Sequence, residues 1–443
     1  MKIQLPQDVL HILNTFSKAG FSAFAVGGCI RDSLRGKTPA DWDITTAATP
    51  EQTMALFPKT VPTGIAHGTV TVLIGKTGYE VTTFRKDGVY ENHRSPESVT
   101  FTDDITQDLS RRDFTMNAMA YHPETGLVDP FGGQEDIKKQ LIRCVGNPKI
   151  RFDEDALRML RAIRFASQTG FTICEDILSA IKSLAPFICA ISAERIRDEL
   201  LKTLLSDHLE QMITLRETGL LKLILPEVDR CFDTPQHSKY HCHDVGHHTL
   251  EVLKNTPPQP ALRLAALLHD IGKPIKKTRG ADGFDHFIGH DAVSCVLAED
   301  IITRLRFDNK TKNEVLHLIR YHDRRMAATK TSVRKAVSAI GKDAFPSLLQ
   351  LMRADSKGQH PDYLTERLAH YDAVEAIYRE IVAEGDALSV ADLSVGGNDL
   401  IALGYKGKEI GQLLQKILAF VLEHPEENQK ELLLEKIKLN FFA

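Results

Sequence analysis

The sequence is poor in the features that mark secreted, membrane-spanning or globally basic proteins. Its seven cysteines are odd in number, lie scattered from Cys29 to Cys295 and include no C-x-x-C pair. That pattern excludes a disulfide framework and a cysteine-based zinc site, and is the usage expected of a reduced, cytoplasmic protein. No run of about 20 apolar residues is present, so no segment is expected to span a membrane. The opening stretch, MKIQLPQDVLHIL, has no basic run followed by a long apolar one, and no signal peptide is expected. The formal net charge is −4, so there is no protein-wide positive field. A polyanionic partner would have to meet a local basic patch. There is no internal repeat, no low-complexity tract and no signal for an oligomeric state.

The chain has 443 residues, 42% of them hydrophobic and 26% charged, enough for several domains with ample core. Residues 1–145 alternate short apolar runs with glycine turns. The β-branched content predicts strands over 21–26 (FSAFAV), in DITT, over 69–75 and over 79–85. Lys76-Thr77-Gly78 is the expected hairpin turn between the last two. From about 150 the apolar spacing becomes helical and stays so. Ten of the 18 histidines fall between His237 and His322, which places any histidine metal centre there.

Asp41 and Asp43 lie two apart in DWDITT. On a strand, that spacing puts both carboxylates on one face. Adjacent carboxylates repel unless a cation lies between them, and Mg²⁺, a hard oxygen-seeking ion, suits them. Gly27-Gly28, between a strand and a helix, lets backbone N–H groups approach phosphates, and Arg31 in that helix can pair with one. Glu80, on a strand able to pair beside DWDITT, either completes the metal coordination or pairs with Arg85.

Four motifs then occur in order: GGCIRD, DWDITT, EVTTFR and DLSRRDFTMNAMA. Together they resemble the head of the class II tRNA nucleotidyltransferase and bacterial poly(A) polymerase family, in the DNA polymerase β superfamily. The resemblance implies metal binding by Asp41 and Asp43. It also implies phosphate contact by Gly27, Gly28 and Arg31, and nucleotide binding by Arg111, Arg112 and Asp113.

Asp155 and Arg158 lie three apart in EDALR, on a predicted helix where such residues are neighbours. Arg offers only donors and ionised Asp only acceptors. Side by side they match the pairing edges of cytosine and adenine and reject guanine and uracil. The resemblance agrees: EDALR is similar to the family's nucleotide-selection motif, with Glu154 in support. Arg161 and Arg164 extend a basic stripe towards RNA phosphate. AERIRDELLK (193–202) resembles the motif that closes the family's neck helices.

LLHDIGK places His269 beside Asp270; His248, His290, His322 and Asp355 flank it in sequence. Imidazole with carboxylate suits Mn, Fe, Co, Ni or Zn. The pattern resembles the HD superfamily of metal-dependent phosphohydrolases over about 235–375. By that resemblance His248, His269, Asp270 and Asp355 are metal ligands, with Asp355 preferred to Asp323, and His290 and His322 hold a second metal. His241, Cys242 and His243 are set aside.

The expected architecture is α+β: a polymerase β-like head with a mixed sheet (1–147), then an all-helical neck (148–232), HD domain (233–377) and tail in contact with tRNA (378–443). The expected activity is addition of CCA to tRNA 3′ ends from CTP and ATP. The alternatives are a C-adding, A-adding or poly(A)-synthesising relative, and an HD phosphohydrolase with an RNA-binding head.

Overall fold

The computed structural model describes residues 3–88, 90–91, 95–96 and 98–442. Met1 and Lys2, the start of the stretch read for a leader, lie outside them. The chain forms two compact units, Met1–Pro226 and Glu227–Ala443.

In the first unit, helix α1 (Gln7–Lys18) buries Val9, Ile12, Leu13 and Phe16 on one face. Each such burial contributes about 1.5–3 kcal/mol. Phe16 meets Phe57 edge-on at 5.2 Å, a contact that Phe16→Ala would remove. The sheet is mixed and seven-stranded. Its strands are β1 (Ala23–Val26), β2 (Asp43–Thr46), β3 (Thr60–Gly64), β4 (Thr69–Ile74), β5 (Thr77–Thr83), β6 (Ala120–His122) and β7 (Gly126–Val128), in the order β7-β6-β1-β2-β5-β4-β3. β1 runs antiparallel to β2, with Val26 opposite Asp43, and β2 runs parallel to β5, with Ile44 opposite Val81.

Two local expectations change. The β4–β5 turn is Gly75-Lys76, with Ile74 paired to Thr77. Gly75 supplies the positive φ (61°) that a two-residue hairpin turn needs at its first position, and β-branched Thr77 continues the strand. β2 starts at Asp43, so Asp41 precedes the strand and strand alternation does not place it.

Helices follow from 148: α2 (Gly28–Leu34) lies in the head, then come α3 (Pro148–Glu154), α4 (Leu157–Thr169) and α5 (Ala193–Leu204). The helix expected across 154–164 is broken at Asp155, whose backbone is extended (φ −141°, ψ 102°). Its carboxylate accepts from the Leu157 N–H at 3.1 Å and so caps α4. A short acidic side chain competes with helix continuation in this way.

The second unit is helical apart from a small hairpin, Thr278–Arg279 with Asp285–His286. The helices around its centre are α6 (Val245–Lys254), α7 (Pro260–Leu268), α8 (His290–Arg304), α9 (Asn309–Tyr321) and α10 (Phe345–Lys357). Towards the end of the chain, α11 (Lys408–Val421) and α12 (Lys430–Lys438) share a core of Leu414, Ile417, Val421, Leu433 and Ile437. Among the described residues no helix is long and apolar enough to cross a membrane.

Candidate functional sites

The head cleft has a volume of about 940 Å³, and every residue singled out in the head and selection motifs lines it except Arg85 and Glu154. The Val26–Asp43 pairing sets the Gly27-Gly28 turn beside β2. On β5, Tyr79 and Val81 point into the core, so Glu80 points out to the cleft side. Arg85, its alternative partner, pairs with Asp87 at 3.3 Å. Asp43 opens onto the cleft but has protein on its other sides. Burial, then Asp41 and Glu80, raise its pKa to about 6 against the pull of Arg112. Crowded carboxylates of this kind suit a divalent cation, which would replace their mutual repulsion with attraction.

The arginines opposite are held by carboxylates. Asp108, buried at the end of the short helix Ile105–Ser110, accepts from Arg111 at 2.8 and 3.0 Å and from Arg112 at 3.3 Å. Burial raises its pKa, but Arg112 and Arg111 outweigh that and hold it low. Arg31 donates to Asn117 at 2.8 Å and to Asp32. Gly27 has φ 84°, and a Cβ there would sit 3.2 Å from Arg112 Nη1. Glycine therefore serves both the backbone and the close approach of the guanidinium.

Asp113 is buried and paired with Arg161 at 2.6 Å; burial alone would raise its pKa, but Arg161 and Arg158 hold it well down. Arg164 is buried against Glu199 and donates to Gln168 at 2.8 Å. Arg31, Arg161 and Arg164 also surround the Phe165 ring. Asp113 and Arg164 thus brace the wall, and Arg161 links Asp113 to the cleft.

Asp155 and Arg158 both reach the cleft, but from either side of the helix break rather than from one helical face. Asp155 takes a two-pronged contact from Arg195, at 2.8 and 3.3 Å. Arg158 pairs with Glu154 and donates to the Arg111 carbonyl at 3.1 Å. Sequence reading passed over Asp108, Asn117, Phe165, Arg195 and Lys202. Asp108 and Asn117 stand inside DLSRRDFTMNAMA and Arg195 and Lys202 inside AERIRDELLK, so the motifs contained them although single residues did not signal a role.

In the second unit six dispersed residues converge. His248 and His269 are fully buried, Asp270 is nearly so, and His290, His322 and Asp355 complete the group. Each histidine spends Nδ1 on a backbone carbonyl: His248 on Gly358 (2.9 Å), His269 on Ala266 (2.8 Å), His290 on Phe287 (2.9 Å) and His322 on Ile319 (2.7 Å). His269 and His322 stand at helix ends, where such carbonyls lack intrahelical partners. All four Nε2 lone pairs are thereby turned inward, the usual orientation for metal-binding imidazoles.

Asp270 lies between two lobes. Its Oδ2 is 3.4 Å from His248 Nε2 and 3.2 Å from His269 Nε2, with Asp355 Oδ1 2.9 Å from His248. Its Oδ1 is 3.2 Å from His290 Nε2 and 3.7 Å from His322 Nε2. Among the described residues, Nε2 of His248 and His269 and both Asp270 oxygens are buried without a hydrogen bond of acceptable geometry, although Lys273 Nζ lies 2.6 Å from Asp270 Oδ2. Buried polar atoms left so are costly unless a cation takes them, so the donor set fits divalent metal. Burial would lower the His269 pKa, but Asp270 and Asp355 override it and raise it to about 10. Asp355, not Asp323, is the second carboxylate of the group, though Asp323 also lines the cavity of about 550 Å³. So does His241, which had been set aside.

The fold and the two centres define a polymerase-type head followed by an HD-type helical unit. Family models match accordingly: the poly A polymerase head domain over residues 23–143, the probable RNA and SrmB-binding site of polymerase A over 170–232, and the HD domain over 240–389. Residues 23–143 thus carry a poly A polymerase head domain and residues 240–389 an HD domain. It is 51% identical over 215 residues to the CCA-adding enzyme of Geobacillus thermodenitrificans (strain NG80-2), covering 48% of this chain and 53% of that protein. It is 48% identical over 219 residues to that of Leuconostoc mesenteroides, covering 48% and 55%. The matched part thus spans about half the length of these curated relatives. The crystal structure of the Bacillus stearothermophilus CCA-adding enzyme in complex with CTP is similar over 99% of this chain and 100% of that one, at 28% identity and TM-score 0.76. The Thermotoga maritima CCA-adding enzyme complexed with tRNA shares the fold, with TM-score 0.58, 20% identity and coverage of 99% and 96%.

Proposed function

We propose that this protein adds CCA to tRNA 3′ ends from CTP and ATP. The observation that carries this is the single cleft holding Asp41, Asp43 and Glu80, the arginines and the Asp155–Arg158 pair. The related CCA-adding enzymes solved with CTP and with tRNA support it. Asp41 and Asp43, with Glu80 beside them, would hold Mg²⁺, which when bound lowers the pKa of the attacking 3′-hydroxyl and offsets charge on the leaving pyrophosphate. Gly27, Gly28, Arg31, Arg111 and Arg112 hold the triphosphate. Asp113 keeps Arg161 directed along the cleft, and Arg164 braces Phe165. Asp155 accepts from the amino group of cytosine or adenine and Arg158 donates to the neighbouring ring acceptor. A buried mispaired edge costs about 1–3 kcal/mol, which rejects U and G. The segments 1–147, 148–232, 233–377 and 378–443 would then serve as head, neck, HD domain and tRNA-contacting tail, in a cytoplasmic protein. Incubating tRNA that lacks its 3′ end with Mg²⁺ and each nucleotide, then sequencing the products, tests it: C, C and A in order are expected. A-only, C-only or long A products would replace the reading with a partial or poly(A) activity, and no incorporation by folded protein would sink it.

The HD centre supports a second activity in the same chain, hydrolysis of phosphate esters at damaged RNA ends. His248, His269, Asp270 and Asp355, with His290 and His322, would hold Mn, Ni, Fe, Co or Zn, which supplies a hydroxide at neutral pH. Asp270→Ala that opens 2′,3′-cyclic phosphates to monoesters, or releases phosphate from 2′-phosphate ends, as fast as wild type would rule this out.

A further inference from the structure

His241 differs from the four histidines of the HD centre in the one respect that sets its chemistry. Those four place Nδ1 on a carbonyl and turn an Nε2 lone pair inward. His241 Nδ1 is buried and, among the described residues, has no hydrogen-bond partner. With no acceptor at Nδ1, the ring proton belongs on Nε2, and His241 is then a donor where its neighbours are acceptors. Its ring stands edge-on to His248, centroids 5.2 Å apart and planes at 89°, and it lines the cavity shared with Asp270, His290, His322 and Asp355. It lies outside the two close groups of ligand atoms, which consist of His248, His269 and Asp270, and of Asp270, His290 and His322.

The segment that carries it is anchored on several sides. Asp285 accepts from both the backbone N–H and Nδ1 of His237, each at 2.9 Å. The Tyr240 carbonyl accepts from the His360 N–H at 2.8 Å, and the Tyr240 ring packs edge-on against Tyr363. Gln236 donates to the His243 carbonyl at 3.3 Å. Of the two lysines that line the cavity, Lys273 Nζ lies 2.6 Å from Asp270 and 2.9 Å from Gln236 Oε1, and Lys239 Nζ lies over the Tyr240 ring, 4.9 Å from its centroid.

We propose that His241 is a substrate-binding residue of the HD centre, its Nε2–H donating to a non-bridging oxygen of a phosphate ester in the cavity. This rests on reading that centre as a phosphate-ester site. Phosphate oxygens offer only acceptors, and His241 presents the donor that the metal-facing histidines lack.

The test uses the full chain loaded with metal, inorganic phosphate as probe, calorimetry for affinity and elemental analysis for metal content. His241→Ala is expected to weaken phosphate binding by about tenfold, the scale of one lost hydrogen bond to a charged group, with metal content unchanged. His241→Gln, which places an amide N–H near the position of Nε2, is expected to stay within about threefold of wild type. Unchanged affinity in His241→Ala, or loss of metal in that variant, overturns the assignment alone. Absence of phosphate binding by the metal-loaded wild type overturns the phosphate-ester reading as well.

Discussion

The Nε2 atoms of His290 and His322 face each other at 3.2 Å, while the Nδ1 of each donates to a backbone carbonyl. Two lone pairs at that distance repel unless a proton or a cation lies between them. Asp270 presents Oδ1 to this pair and Oδ2 to His248 and His269. The HD centre is therefore expected to bind two divalent ions per chain, counted by elemental analysis, and His290→Ala to bind one. A single ion in the wild type would show that the second lobe is not a metal site.

Loading that centre should also release protons. Burial would lower the His269 pKa, yet its carboxylates raise it to about 10, so the metal-free site is protonated at neutral pH and a cation must displace that proton. Metal affinity should rise as pH rises towards that value. Calorimetry in buffers of different ionisation enthalpy is expected to report at least about one proton released on loading.

At the head, Asp43→Asn should cut nucleotide addition by about 1,000-fold or more, since it removes one of the metal-holding carboxylates. tRNA affinity, measured by filter binding, should change by less than about threefold, because cations contribute to contacts made elsewhere. Equal losses of binding and turnover would mean that Asp43 shapes the RNA site itself.

Asp43 also predicts a pH effect of definite sign. Its pKa is raised to about 6 by burial and by Asp41 and Glu80. Below the ordinary value near 4 the group is protonated whether the chain is folded or not, and carries no penalty. Above about 6 it is ionised in both states, and the folded chain bears the full repulsion. Metal-free protein should therefore lose stability between about pH 4 and 6, and Mg²⁺ should restore it only above about pH 6. Melting temperatures across that window, with and without Mg²⁺, measure both.

Selection should respond to Asp155 and Arg158 separately from turnover. Asp155→Asn keeps the size of the side chain but adds donors facing the base. Discrimination against UTP is expected to fall by about 10–100-fold in kcat/KM ratio, the equivalent of about 1–3 kcal/mol. A variant that loses rate equally with CTP and UTP would show that Asp155 only caps α4.

Much of this was legible in the sequence because it is local. Alternation in 69–75 and 79–85 fixes strands, and with them the outward direction of Glu80, since side chains alternate at every residue of a strand. The residue types in DWDITT, EDALR and LLHDIGK limit the chemistry to carboxylate–metal, donor–acceptor and imidazole–carboxylate sets. Local patterns could not decide where a helix breaks when a side chain competes for its backbone, and Asp155 broke the one expected across it. Nor could they pair residues far apart in the chain. Arg195 meets Asp155 across 40 positions, and His248 meets the Gly358 carbonyl across 110. The same holds for His241. Its sequence neighbours Cys242 and His243 lie exposed, whereas its own ring stands against His248 and lines the HD cavity, because packing against α6, which carries His248, selects one residue of the triplet. Sequence determined which side chains were available for chemistry. The tertiary fold decided which of their nitrogen and oxygen atoms were spent on the backbone and which were left to face a ligand.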